Sequence, residues 1–320
     1  MTKAADKHNN SATLRPRGIK TRLMKAVRPV IASMPPWLGH PVAAVVGELV
    51  YRVARKSRRA AISNISHVVG QVPRRELKKT VRHVFHNVMR NYYELCRAPD
   101  ISDATIDQMI DFDEEGWQRI KALHDSGRGV VLASAHFGSF DMVTQMLARH
   151  GLAVTVLVAQ ISPAWLSDFI TDLRAHRGVE LLLVDQEEEN HGVNLGALKE
   201  SIKLLRNNGV LGLVVDRNQE QKGVTIKFFG HDTIVASGIA KMALRTNSAI
   251  VIGIARRLNS YRFSLTFDEP IEPVGSAANE EDVKALMTEI FSRVQHHIAQ
   301  NPEQWVLLQP VWPREAGGEQ

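Results

Sequence analysis

Two residues five positions apart, His136 and Asp141, carry the best prospect of chemistry in this chain of 320 residues. They belong to the run Val130-Val131-Leu132-Ala133-Ser134-Ala135-His136-Phe137-Gly138-Ser139-Phe140-Asp141, in which an apolar stretch of strand length ends in the histidine. Successive helical residues rotate by about 100°, so side chains five apart on one helix face different ways. His136 and Asp141 can therefore meet only if the chain turns between them. Gly138 permits such a turn, and Ser139 suits the N-cap of a helix running to about Arg149. Asp141 then falls in the first helical turn, where the dipole favours its anion. An ionised carboxylate beside His136 would accept a proton from one ring nitrogen and leave the other as a base. The same spacing also fits a strand-end histidine followed by an ordinary helix start, with no chemistry.

The elements that would hold this pair alternate after Gly127. Strand-like runs at Gly129–Ala135, Val154–Val158, Val179–Val184 and Val210–Val215 are separated by helical patterns at Ser139–Arg149, Ala164–Arg177 and Leu195–Asn207. Two later runs, Ala249–Ala255 and Tyr261–Phe267, read as strands, and Ala278–Ala299 as a long helix. The pattern predicts an α/β fold, with a mainly parallel central sheet flanked by helices and an N-terminal basic helical module. Ligands of such sheets collect beyond the carboxyl ends of the strands, where His136 falls.

Three further clusters are expected at that edge. Arg174 and Arg177 lie three apart on one helix, and either could reach a phosphate or an oxyanion. Asp216-Arg217-Asn218 follows the strand Val210–Val215 directly. Gly223 to Gly230, including Phe229, precedes Ala236-Ser237-Gly238, which opens a helix to about Thr246. Gly238 near a helix N-terminus would let a phosphate or thioester approach the backbone closely.

The block His136-Phe137-Gly138-Ser139-Phe140-Asp141 resembles the His-x-x-x-x-Asp block of the glycerolipid and lysophospholipid acyltransferases. Its His-Phe-Gly opening is most similar to the bacterial branch that acylates lipid A and phosphatidylinositol mannosides. Phe228-Phe229-Gly230 followed by Ala236-Ser237-Gly238 resembles the family's second and third blocks, and Pro302-Glu303-Gln304-Trp305 is similar to a family ending. Basic residues from Arg52 to Arg59, leading into Asn64-Ile65, resemble the branch near its start. The resemblance covers roughly residues 50–313. It departs at Asn218, where relatives have a further acid, and at Val306-Leu307-Leu308-Gln309-Pro310, where they have a basic tail.

The resemblance implies transfer of a fatty acyl chain from acyl-coenzyme A or acyl carrier protein to a hydroxyl of a membrane glycolipid. His136 would be the general base and Asp141 its orienting partner, while amides near Gly138 or an arginine would hold the oxyanion. Phe137, Gly138, Ser139, Arg174, Arg177, Asp216, Asn218, Phe229, Gly230, Ser237 and Gly238 are the candidate substrate-binding residues. No covalent acyl-enzyme, metal or cofactor is expected, and the sequence has no Gly-x-Ser-x-Gly elbow. A lysophospholipid acceptor and a catalytically inert lipid-binding relative are the alternatives.

Charge is distributed unevenly. The formal net charge is +6, but residues 1–90 hold 19 Lys and Arg against 3 acids, a balance of +16 that leaves −10 on the rest. Such asymmetry points to an anionic partner, nucleic acid or membrane. With 6% aromatic residues and no nucleic-acid motif, the membrane is the expected one. Residues 1–18 read as a disordered basic tail. Ile19, Leu23, Val27 and Ile31 then recur between Lys20, Arg22, Lys25 and Arg28, giving a basic amphipathic helix kinked or ended near Pro29. It suits either an anionic lipid interface or the core with a solvated basic face.

The apolar stretch Pro41–Val53 is too short to span a bilayer, which takes roughly 20 residues, and no signal peptide is evident. Leu77, Val81, Val84, Val88 and Tyr92 mark one side of a packing helix over Arg74–Leu95, and the lone Cys96 reads as structural, in a reducing setting. The expected division is a tail (1–18), a membrane-associating helical module (19–97), an α/β domain (98–313) and a loose end (314–320). The expected location is peripheral, on the cytoplasmic face of the inner membrane.

Overall fold

The computed structural model describes residues 19–147, 150–161, 163–176, 179–184, 195–218 and 221–312. The tails expected at 1–18 and 314–320 lie outside the described residues. Four helices come first: α1 (Ile19–Ser33), α2 (Pro36–Val53), α3 (Arg55–Val69) and α4 (Arg74–Arg97). Next are α5 (Asp103–Met109), β1 (Ile110–Phe112), α6 (Glu114–Asp125), β2 (Val130–Ser134), α7 (Phe140–Leu147), β3 (Val154–Ala159) and α8 (Ala164–Ala175). The chain continues through β4 (Glu180–Val184), α9 (Leu195–Arg206), β5 (Val210–Val214), β6 (Val224–Phe228), β7 (His231–Val235) and α10 (Gly238–Thr246). It closes with β8 (Ala249–Arg257), β9 (Phe263–Phe267) and α11 (Glu280–Gln300).

Seven strands form one sheet in the order β1-β9-β8-β2-β5-β3-β4. Every pairing among them is parallel except β8 with β9. The mainly parallel sheet read from the alternation is the one that forms. Its central strands are apolar without alternation because helices cover both faces: Ala249 to Ala255 are all buried. Val131, Ala133, Leu211, Ile250 and Ile252 share a core with α3, α4, α10 and α11. Val130, Leu132, Val210 and Val251 point the other way, toward Trp117 and Ile120 of α6 and Met142 of α7.

The sequence pattern does not show α5, α6, β1, β6 or β7. β1 has three residues, too few to show a period. β6 and β7 form a separate antiparallel hairpin, with Phe229 and Gly230 both at positive φ in its two-residue turn.

The N-terminal helices differ from expectation in orientation. α1 runs through Pro29 to Ser33, so the helix does not end at the proline. Its Lys25 bonds to Asp172 of α8, and Arg28 reaches Asp100 and the Cys96 carbonyl at 2.9 Å. Two of its four cations thus face protein, while Ile19, Leu23 and Val30 are more than half exposed. On α2 the same holds for Trp37, Val45, Leu49 and Val53. Among the described residues no helix is long and apolar enough to cross a membrane. In α4, Val81 and Val84 are fully buried but Tyr92 is exposed, so the packing face turns toward Phe85 and Asn91. Cys96 is buried, and burial pushes its thiol up to about 11, against the pull of Arg28, which leaves it protonated at neutral pH.

Asn64 of α3 ties the chain end to this scaffold. Its amide donates to the Leu307 and Gln309 carbonyls at 3.3 and 2.8 Å, and its oxygen accepts from the Val311 amide at 3.1 Å. Asn64→Ala leaves two buried polar groups and one part-buried one without their partner, so it should cost about 2 kcal/mol in chemical denaturation. A loss below about 0.5 kcal/mol would show that water satisfies them instead.

Candidate active site

β2 and β5 lie side by side in parallel register, Ser134 against Val214, and the Val215 amide donates to the Ser134 carbonyl at 2.8 Å. Two residues past that point, His136 and Asp216 emerge together. His136 Nδ1 lies 2.7 Å from Asp216 Oδ1, and the His136 amide donates to Asp216 Oδ2 at 2.9 Å. Trp305 Nε1 donates to the same Oδ2 at 2.8 Å. The Asp216 side chain is fully buried, whereas that of His136 is 20% exposed. Burial raises the carboxyl's proton affinity, but the charge of His136 and the hydrogen bonds from His136, Trp305 and the His136 amide outweigh it. Its pKa ends below the ordinary value, so Asp216 is ionised. It accepts a hydrogen bond from Nδ1–H, which leaves the lone pair on Nε2.

This corrects the expected partner. Asp141, read as the group that orients His136, accepts a 2.7 Å bond from Arg174 Nε, and the carboxylate on Nδ1 belongs to Asp216. Asp216, expected among the substrate-binding residues, is instead the carboxylate that holds the imidazole. The five-residue offset carries Asp141 onto α7, facing α8, while the sheet brings Asp216 to the imidazole. Burial disfavours the charge of Arg174, but the charge and hydrogen bond of Asp141 outweigh that and raise its pKa.

A second buried network holds the turn. Gly138 has φ +55°, and a Cβ there would lie 1.8 Å from the Ala255 carbonyl oxygen, so only glycine fits. Its amide donates to the Gln304 carbonyl at 2.8 Å and its carbonyl accepts from Asn91 Nδ2 at 2.6 Å. The Gly138 amide is therefore committed within the protein, against its expected use for an oxyanion. Ser139 directly precedes α7 and is buried. Its hydroxyl donates to Glu94, which also pairs with Arg257 in the interior. His40 lies 3.6 Å from Glu94, and its pKa falls to about 4 because burial and the nearby arginines outweigh that carboxylate.

A cavity of about 710 Å³ opens beside the imidazole. His136, Phe140, Asp141 and Arg174 line one end, and Val154, Val156, Leu181, Gly212 and Ile170 line an apolar remainder. The Phe140 ring stands edge-on to His136 at 5.3 Å. Phe137 is buried in the core, and its backbone bridges Trp305. Asn218 donates to the Lys222 and Ile234 carbonyls, securing the hairpin loop. Phe229 and Gly230 form the hairpin turn, while Ser237 and Gly238 begin α10, and none of these five residues lines the cavity. Arg177 lies outside the described residues. Trp305 was noticed only as part of a terminal pattern, and Arg217, Ser57 and Gln309, which line the cavity, were not singled out.

Residues 7–314 match the family described as bacterial lipid A biosynthesis acyltransferase. A phosphatidylinositol mannoside acyltransferase of Mycobacterium tuberculosis is 28% identical over 250 residues, covering 78% of this chain and 75% of the relative. Its counterpart in Mycolicibacterium smegmatis is 24% identical over 251 residues, covering 78% and 77%.

The Asp216 carboxylate stabilises the fold above its unfolded pKa of about 3.9, and that contribution is lost as pH falls through the lower folded value. Asp216→Asn should be about 3 kcal/mol less stable than wild type near neutral pH. The gap should narrow as urea melts are moved below about pH 4, whereas a gap independent of pH would contradict an ionised Asp216.

Proposed function

The chain belongs to the bacterial lipid A biosynthesis acyltransferase family, and we propose that it moves a fatty acyl chain from an acyl thioester to a hydroxyl of a membrane glycolipid. The observation that carries this reading is the Trp305–Asp216–His136 hydrogen-bonded series beside an apolar cavity. His136 Nε2 takes the acceptor hydroxyl proton, and the oxygen attacks the thioester carbonyl carbon. Asp216 holds the imidazole in the required tautomer and stabilises the imidazolium. As the tetrahedral species collapses, the carbon–sulfur bond breaks and the imidazolium returns its proton to the leaving thiolate. The Arg174 guanidinium, held by Asp141 at the cavity's polar end, lends positive charge to the oxyanion. The cavity's apolar remainder suits the donor's acyl chain. The donor is acyl-coenzyme A or acyl carrier protein.

The acceptor is embedded in lipid, so the site must work at a bilayer surface. The exposed rows on α1 and α2 suit the acyl boundary, and the exposed Arg55, Lys56 and Arg59 suit anionic head groups. Ser57, within that basic stretch, lines the cavity itself. Peripheral attachment to the cytoplasmic face of the inner membrane follows from this reading.

Transfer from radiolabelled palmitoyl-coenzyme A into a glycolipid extract tests the chemistry. His136→Ala should lower kcat/KM by roughly a hundred- to ten-thousand-fold, and Arg174→Ala by roughly a hundredfold. Turnover at the wild-type rate in the His136 variant would refute the mechanism. For the surface, the pair Val45→Asp and Leu49→Asp should reduce flotation with anionic vesicles while leaving the melting temperature unchanged. Equal flotation would take α2 out of the interface.

A further inference from the structure

The cavity floor contains a residue that neither backbone nor packing requires. Gly212 sits in the middle of β5, between β2 and β3. Glycine weakens a strand interior, having no side chain to pack and more backbone freedom to lose. Gly212 is not among the residues at positive φ. A Cβ added to it would meet Val154 Cγ1 at 3.4 Å, Val156 Cγ2 at 3.5 Å and the Thr155 carbonyl at 3.9 Å, which are ordinary contacts. Gly129 differs, since its Cβ would lie 2.3 Å from the Leu205 carbonyl oxygen. Gly253, also in the cavity wall, is already crowded by Leu132 at 3.0 Å. What the missing side chain at 212 does is leave volume open.

That volume lies at a defined depth. Gly212 precedes Asp216 by four residues on the same sheet face, about 13 Å at a strand rise of roughly 3.3 Å. The register sets Leu132 of β2 and Val156 of β3 beside it, and Leu181 of β4 beside Val156. All three line the cavity, so Gly212 is a gap in an otherwise apolar wall.

Resting on the reading of this cavity as the acyl site, we propose that Gly212 sets the length of the acyl chain the enzyme accepts. The absent side chain admits the distal end of a long saturated chain, and a side chain at 212 shortens that space in proportion to its size. Valine suits a strand, and alanine fits at the contact distances above, so both variants keep the fold.

The test is calorimetric binding of lauric, myristic, palmitic and stearic acids, below their aggregation concentrations, to the full-length protein. Wild type should bind the series with affinity rising with length. Gly212→Val should hold laurate as wild type does but lose about tenfold for each further pair of methylenes that can no longer be buried. Gly212→Ala should lose affinity for stearate alone. If wild type binds the acids but both variants give the same length profile, the proposal fails and the acyl-site reading stands. If wild type binds none of them, the acyl-site reading fails and the proposal with it.

Discussion

Asp216 carries a negative charge into the interior, and a carboxylate withdrawn from water is costly unless donors replace the solvent. Three donors do so, from two distant parts of the chain: the imidazole and amide of His136 and the indole of Trp305. Satisfying that charge fixes the ring orientation of His136, the end of β2 and the path of the segment after α11. The same bonds that hold the carboxylate ionised therefore set the tautomer of His136. Under the proposed function, stability and chemistry would rest on one set of hydrogen bonds.

The Gly138–Ser139 turn is held from beneath by the buried group of Asn91, Glu94, Arg257 and Gln304. An ion pair inside a core contributes little net stability, but breaking it leaves a lone charge, which disfavours any other arrangement. α4 supplies two of these groups, and the inward face of its C-terminal half carries Asn87, Asn91 and Glu94 among Val88, Leu95 and Cys96, after the apolar Val81, Val84 and Phe85. The helix is thus a support for the turn as well as a packing surface.

The N-terminal helices reverse the charge logic that composition suggested. Lys25 and Arg28 of α1 bond to Asp172 and Asp100, and the outward rows of α1 and α2 are apolar. Exposed cations remain at the start of α3, next to the cavity lined by Ser57. At the bilayer surface that the proposed function requires, apolar rows with a basic margin would act by burial and by Coulomb attraction.

Local signals determined much of this protein. An apolar run of strand length, a glycine at positive φ and a helical period place His136 at a strand's carboxyl edge, and the alternation of such runs gives the parallel sheet. These are short-range properties, since strand period and turn geometry depend on neighbouring residues. The partner of His136 was not available in the same way. Asp141 was favoured because it is near in sequence, yet Asp216, 80 residues away, makes the bond, and Trp305 lies a further 89 residues on. Only the pairing of β2 with β5 brings two residues just past Ser134 and Val214 into contact. Inter-strand register is a non-local hydrogen-bond choice, and tertiary packing alone decides it.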